Sequence, residues 1–345
     1  MEAVLVTGAA GFIGFHVARR LLTGGDAVVA LDNLNSYYDP NLKRARLAEL
    51  TRFANFLFEQ HDLADRSAIA KLFATHRFDV VIHLAAQAGV RHSLLDPYAY
   101  VDANLTGFLN VLEGCRHIGC KHLIYASSSS VYGANTRMPL RTSDNTDHPL
   151  SLYGVTKKAN EAMAHAYASL FGLPATGLRF FTVYGPWGRP DMAMWQFTAA
   201  IMDGTPVKLF NNGRMRRDFT YIDDVTEAVI RLVKEPPQPN PAWSRDAPEP
   251  ATSYAPWRLY NVGNSRPVEV IELVRLIEQT TGRSAIREFL PMQPGDVLET
   301  CADSSDLERA VGFRPNTSIE DGIRMFVQWF GANRRSQAAK DNTRL

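Results

Sequence analysis

Apolar positions follow two rhythms along the first half of the chain. Short runs of Val, Ile, Leu, Phe and Ala at Ala3–Val6, Ala27–Leu31, Asn55–Glu59, Val80–Leu84, His122–Ala126 and Ala175–Phe181 predict strands. Several are continuous rather than alternating, as expected where helices cover both faces of a sheet. Between them lie stretches with helical spacing, such as Phe12–Leu22 and Ala103–Arg116. Alternation of this kind predicts an α/β chain with a doubly wound parallel sheet. Beyond residue 182 the alternation weakens and Pro, Gly and aromatic residues increase. We therefore expect a large domain over 1–181 and a smaller, partly interleaved C-terminal domain over 182–332. Trp257–Gly263 reads as a strand returning towards the main sheet. Pro236–Pro256, rich in Pro, Asn, Ser and Ala, reads as a surface insertion, and 333–345 as a polar, fraying tail.

Composition narrows the classes. With 345 residues and 46% hydrophobic content the chain can bury a large core. A formal net charge of +1 without charged blocks gives no sign of a nucleic-acid partner. No apolar run is long enough to cross a bilayer. Met1-Glu2 leads straight into the first apolar run, unlike a signal peptide. Three cysteines without a CxxC pair predict reduced thiols in a cytoplasmic enzyme. Cys115 and Cys120 lack a second Cys/His pair at ligand spacing, so no metal is expected.

The first predicted strand runs into Thr7-Gly8-Ala9-Ala10-Gly11-Phe12-Ile13-Gly14 and then a helix. Glycines there let the backbone turn tightly and bring free N–H groups at a helix N-terminus against a pyrophosphate. A glycine triplet alone is an ordinary turn; following a strand and opening a helix, it predicts a Rossmann-type dinucleotide site. Asp32 ends the next strand, where a carboxylate accepts hydrogen bonds from ribose hydroxyls and repels the extra phosphate of NADP, so NAD is expected. Asn33, Asp62, Leu63, Leu84, Ala85, Ala86 and Asn104 are further candidates for the cofactor side, against loop capping as the plain alternative.

Tyr153 and Lys157 are four apart in a helical stretch, Leu152–Leu170, with Ser151 as N-cap and Gly172 as stop. Residues i and i+4 share a helix face. A neighbouring ammonium and the positive nicotinamide of NAD⁺ would favour the phenolate, which can then take a proton from a sugar hydroxyl. Upstream, a strand ends in Ser127-Ser128-Ser129-Ser130-Val131-Tyr132-Gly133, whose hydroxyls can bond the reacting oxygen.

TGAAGFIG, SSSSVYG and YGVTK, in this order, resemble the extended short-chain dehydrogenase/reductases, and the nucleotide-sugar epimerases in particular. The resemblance continues through RFFTVYGPWGRPDMA (179–193), KLFNNGRMRRDFTYIDD (208–224), YNVGN (260–264) and QPGDV (293–297). Within the group the chain looks most like UDP-glucuronate 4-epimerases, a likeness shared by the segment Asn33–Arg46 with Tyr37-Tyr38-Asp39 and Leu42-Lys43. The resemblance implies tightly bound NAD, oxidation at C4 of a UDP-sugar, Tyr153 as proton acceptor and Lys157 as its partner. It leaves Ser128 and Ser130 both open as the catalytic hydroxyl. It implies a homodimer through helices such as Ala103–Arg116 and Leu152–Leu170.

The same resemblance argues the reaction. Sugar dehydratases have Asp-Glu where this chain has Ser129-Ser130, and UDP-glucuronate decarboxylases have Glu where it has Ser130. Epimerisation remains. Thr182 stands where neutral-hexose epimerases tend to have Asn, and Arg189 follows in the PWGRPD loop. A hydroxyl and a guanidinium fork suit a C6 carboxylate, against a plain solvent-exposed arginine. Arg217 is implied at the pyrophosphate, with Lys208, Leu209 and Phe210 bordering the uracil, Asp296 the ribose, and Arg91 also near substrate. Arg214 and Arg216 read equally well as a solvated basic loop. Gln293 stands where neutral-hexose epimerases often have Arg. UDP-glucose epimerisation, UDP-glucuronate decarboxylation and a silent NAD-binding regulator are the competing readings; the intact Tyr153/Lys157 pair counts against the last.

Overall fold

The computed structural model describes residues 3–293 and 295–342, with side chains through Arg335. Its strands are β1 Ala3–Thr7, β2 Val28–Leu31, β3 Phe56–Glu59, β4 Phe78–His83, β5 His122–Ser128, β6 Ala175–Phe180, β7 Thr182–Tyr184, β8 Pro206–Phe210, β9 Arg216–Tyr221, β10 Trp257–Val262, β11 Pro267–Glu269 and β12 Ile286–Leu290. Its helices are α1 Phe12–Thr23, α2 Pro40–Leu50, α3 Arg66–Thr75, α4 Pro97–Tyr100, α5 Gly107–Ile118, α6 Leu152–Phe171, α7 Ala193–Asp203, α8 Ile222–Val233, α9 Val270–Thr281, α10 Ser305–Val311 and α11 Ile319–Asn342.

A seven-stranded sheet in the order β10-β6-β5-β4-β1-β2-β3 forms the centre of the fold. All its pairings are parallel. This is the expected Rossmann-type α/β sheet. The continuous apolar strands are covered on both faces. One layer packs α3, α5 and α6 around Phe73, Phe108, Leu112 and Ala164; the other joins α1 through Phe15 and Val17 to Ile222 and Val229 of α8. The strand order reverses between β1 and β4, and there a doubly wound sheet opens a crevice at its carboxyl edge.

The expected returning strand is β10, which pairs in parallel with β6 from Trp257↔Ala175 to Val262↔Phe180. The residues between carry two smaller sheets, β11-β9-β7 and β12-β8. Residues 236–256 run mostly over the surface, but Ala251 and Ala255 tuck into the core beside Trp257.

Two local expectations change. The helix expected over Ala103–Arg116 begins as a π-helical turn, Val101–Thr106, and becomes α-helical only at Gly107. The wide turn accommodates Asn104, whose amide is committed to the chain leaving β4. The expected fraying tail is helical as far as Asn342, the chain continuing α11, and Arg334 is paired with Asp203 at 2.7 Å. Residues 343–345 lie outside the described residues. No helix among the described residues is long and apolar enough to cross a membrane.

Candidate active site

One large cavity, about 440 Å³, opens along the carboxyl edge of the main sheet. Its first wall is the turn after β1. Gly8 takes φ +70°, and a Cβ there would lie 2.7 Å from the Ala85 nitrogen. A Cβ on Gly14 would lie 2.1 Å from the Gly8 carbonyl oxygen, and one on Gly11 2.8 Å from it. The turn therefore closes only without side chains, and it brings the N-terminus of α1 to the cavity. This cradle fits a dinucleotide pyrophosphate. Phe12, Ile13, Leu63, Leu84, Ala85 and Ala86 line the same space. Thr7 Oγ1 accepts from the Ala85 nitrogen at 3.2 Å and bonds the His83 ring at 2.9 Å, tying the β1 and β4 ends together.

Asp32 directly follows β2 and is buried, accepting from the backbone nitrogens of Ala10 (3.2 Å) and Leu34 (2.9 Å). Burial pushes its carboxyl up, while the Lys43 ammonium and these N–H donors pull the other way. Asn33 donates to Asp62 at 2.8 Å, closing one end of the crevice. Asn104 does not line the cavity. It is fully buried behind the wall, accepting from the Gln87 nitrogen at 2.8 Å and donating to the Gln87 oxygen and Thr156 Oγ1, both at 3.0 Å. Its amide is used up, so it braces the wall instead of offering a free contact.

Ser151 caps α6 by accepting from the Gly154 nitrogen at 3.1 Å, and left-handed Gly172 ends the helix. Tyr153, Lys157, Ser128, Ser130 and Thr182 all face the cavity. Ser128 Oγ donates to Ser130 Oγ at 3.2 Å and accepts from the Ser130 nitrogen at 3.1 Å. Burial raises the Tyr153 phenol above its ordinary value, opposed by a hydrogen bond with Ser128 and the positive charge of Arg189. Of the two charges expected to favour the phenolate, the Lys157 ammonium is not among the groups acting on the phenol. Lys157 instead donates to the Ala126 carbonyl at 2.9 Å, and burial lowers its ammonium to about 8. Among the chain's own groups, the charge that favours the phenolate is Arg189.

Arg189 lies in the turn after β7 and is 21% exposed. Its Nε donates to Asp191 Oδ1 at 3.0 Å and its Nη2 to Asp191 Oδ2, while Tyr37 donates to the same Oδ2 at 3.1 Å. Burial works against the guanidinium charge, but Asp191 overcomes it and raises the Arg189 pKa.

At the far end Arg217 and Asp296 line the cavity. Burial lowers the Arg217 pKa against the attraction of Asp296. Arg91 sits at the rim, paired with Asp296 at 2.9 Å and stacked 4.8 Å from the Phe210 ring centre. Lys208, Leu209 and Phe210 do not line the cavity. Leu209 is fully buried in the core, and its strand is paired with β12. Arg216 is drawn to Glu299 at 2.9 Å.

Sequence reading missed Gln87, which lines the cavity with a buried side-chain amide, and Asp191. Tyr37 and Lys43 enter the sequence reading only as part of a family-like segment; the structure brings Lys43 near Asp32 and Arg189, and the Tyr37 ring against Arg189. Among the described residues, no group of three or more His, Cys, Asp or Glu side chains could hold a metal ion.

This architecture is that of an extended short-chain dehydrogenase/reductase. The chain belongs to the NAD dependent epimerase/dehydratase family, whose model matches residues 4–242. Within it, the chain is an NAD-dependent nucleotide-sugar epimerase. It is 49% identical over 335 residues to a probable UDP-glucuronate 4-epimerase of Rhizobium meliloti, covering 96% of this chain and 97% of the relative. Its fold matches UDP-glucuronic acid 4-epimerase from Bacillus cereus, solved with UDP-glucuronic acid and NAD. The TM-score is 0.84 at 32% identity, over 96% of this chain and 99% of the other. UDP-glucose 4-epimerase from Thermotoga maritima, solved with UDP-glucose, follows at TM-score 0.82 and 30% identity, over 96% and 99%.

Proposed function

We propose that this enzyme interconverts UDP-glucuronate and UDP-galacturonate through a transient 4-keto sugar. The observation that carries the reading is Arg189, a guanidinium beside Tyr153 in the cavity that also holds Thr182. A planar fork there suits a sugar carboxylate, which a neutral hexose lacks.

Tyr153 takes the C4 hydroxyl proton, steadied by Ser128 and Ser130 at the reacting oxygen. Arg189 helps hold the phenolate that forms, while Lys157, on the same helix face, is fixed on the Ala126 carbonyl. NAD, when bound, would supply the acceptor that takes up and returns the C4 hydrogen. Gly8, Gly11 and Gly14 make room for its pyrophosphate, with Asp32, Asn33, Asp62, Leu63, Leu84, Ala85 and Ala86 along its length. Thr182 and Arg189 keep the C6 carboxylate bound and away from the perpendicular to the carbonyl plane, where a β-keto acid sheds CO₂. Arg217, Arg91 and Asp296 serve the nucleotide end.

By the same reading, residues 1–181 are the cofactor unit and 182–332 the sugar unit. Cytoplasmic location is supported by the unpaired Cys115, Cys120 and Cys301. A homodimer through α5 and α6 is supported by the exposed apolar Val101, Leu109 and Val155; sedimentation as a monomer would rule it out. The deciding assay supplies UDP-glucuronate and separates the products. UDP-galacturonate is the expected product. UDP-xylose with CO₂ as the main outcome would make the enzyme a decarboxylase, and turnover confined to UDP-glucose would make it a hexose epimerase.

A further inference from the structure

The turn that carries Arg189 is strained and fastened from a distance. Trp187 takes φ +62°, a left-handed backbone that a bulky residue keeps only when its surroundings enforce it. The enforcing groups come from the cofactor half. His16 bonds the Pro186 carbonyl at 2.9 Å, and Arg46 donates to the carbonyls of Trp187 (2.6 Å) and Gly188 (3.2 Å). Arg46 also donates to the Ala10 carbonyl of the glycine-rich turn at 2.8 Å. Tyr37 reaches Asp191, and its ring lies 5.8 Å from the Arg189 guanidinium carbon. Gly89 leaves room for Tyr37: a Cβ there would lie 2.6 Å from the phenol oxygen.

Asp191 occupies one edge of the guanidinium, through Nε and Nη2. The bonds to Asp191 leave the Nη1–Nη2 edge of the guanidinium turned away from that carboxylate. We propose that Asp191 and Tyr37 are positioning residues for sugar selection: Asp191 locks one edge of Arg189, Tyr37 locks Asp191, and the other edge is left to hold the sugar carboxylate at a fixed angle. The proposal rests on the reading of Arg189 as the carboxylate ligand. It gives the family-like segment Asn33–Arg46 a task, since Tyr37 and Arg46 both serve the turn that selects the sugar.

A fixed angle governs the product. If the carboxylate of the 4-keto sugar swings to the perpendicular, the C5–C6 bond breaks and CO₂ leaves. The electron pair passes into an enolate, C5 takes a proton from water, and return of the C4 hydrogen yields a UDP-pentose. A loosened Arg189 still attracts the carboxylate but no longer restrains it.

The test uses NAD-loaded enzyme with UDP-glucuronate and follows kcat, KM and the pentose fraction. Asp191→Asn is expected to lower kcat about tenfold, the scale of one charge-assisted hydrogen bond. KM should stay within about twofold, and the pentose fraction should rise. Tyr37→Phe keeps the ring, loses the donor and should shift both readouts the same way by about threefold. In an Arg189→Ala background Asp191→Asn should change nothing further, because it acts through Arg189. Losses that multiply in the double variant would overturn the proposal. So would Asp191→Asn and Tyr37→Phe enzymes that keep wild-type kcat and product ratio while Arg189→Ala is impaired. Arg189→Ala without effect on turnover or product ratio would instead remove the carboxylate reading itself, and the proposal with it.

Discussion

The glycine-rich turn after β1 and the arginine-bearing turn after β7 border one cavity and hold their shapes by opposite means. The first is shaped by what it lacks: side chains on Gly8, Gly11 and Gly14 would collide with backbone. The second is shaped by what reaches it: His16, Tyr37 and Arg46 bond to it from the other half of the chain. A turn made by omission needs no partners and presents bare backbone, which suits a ligand common to a whole superfamily. A turn held by borrowed side chains can be retuned one fastening at a time, which suits the part of the site that distinguishes sugars.

The comparison can be broken at either turn. Gly14→Ala should have the largest effect, because its Cβ would sit 2.1 Å from the Gly8 carbonyl oxygen, which has nowhere to go. We expect destabilisation of at least about 3 kcal/mol and protein purified without nucleotide. Extraction that recovers a full complement of NAD would refute the steric account. Tyr153→Phe separates the chemistry from both turns: kcat should fall about 10²–10⁴-fold while NAD stays bound. Near-normal epimerisation would mean the proton acceptor is another group. Arg189→Ala tests the second turn alone. UDP-glucuronate kcat/KM should drop about ten- to a hundredfold, with little change in any turnover of UDP-glucose, since a neutral sugar has no carboxylate to lose. Equal losses on both sugars would assign Arg189 to the fold or the nucleotide.

A more gradual effect concerns pH. Burial holds the His16 imidazole at about 3, below its ordinary 6.5. As pH falls below about 6.5 the unfolded chain takes up a proton that the folded one refuses, so stability declines down to about pH 3. His16→Gln keeps a donor for the Pro186 carbonyl and removes the titration. Its stability should fall less steeply between pH 6 and 4, by up to about 1.4 kcal/mol per pH unit. Parallel denaturation profiles for the two proteins would contradict the assignment.

What was legible in the sequence follows the same division. The glycine spacing, the Ser151 cap, the Gly172 stop and the Tyr153–Lys157 face are local, and a local geometric need leaves a local pattern. Arg189 was legible by resemblance, but Tyr37 was not legible as a support of its turn, because a contact across so many positions leaves no periodicity, and Asp191, two residues from Arg189, forms a pair with it that no helical or strand spacing announces. Asn104 misled for a related reason. A polar residue near a cofactor site suggests a ligand contact, yet its amide is spent on Gln87 and Thr156, which only the meeting of three segments reveals. Leu209 misled because pairing with β12 turns its side chain into the core.

The position of β10 bears on how the chain is made. A ribosome delivers β1 to β6 first, but the strand that covers the outer edge of β6 is not synthesised until Val262. Until then the nascent chain carries an apolar strand whose row of N–H and C=O groups faces no neighbour, an invitation to pair with another chain. A truncation ending before Trp257 should therefore aggregate rather than persist as a soluble nucleotide-binding fragment. The late strand makes the second half of the gene a condition for the first half to finish folding.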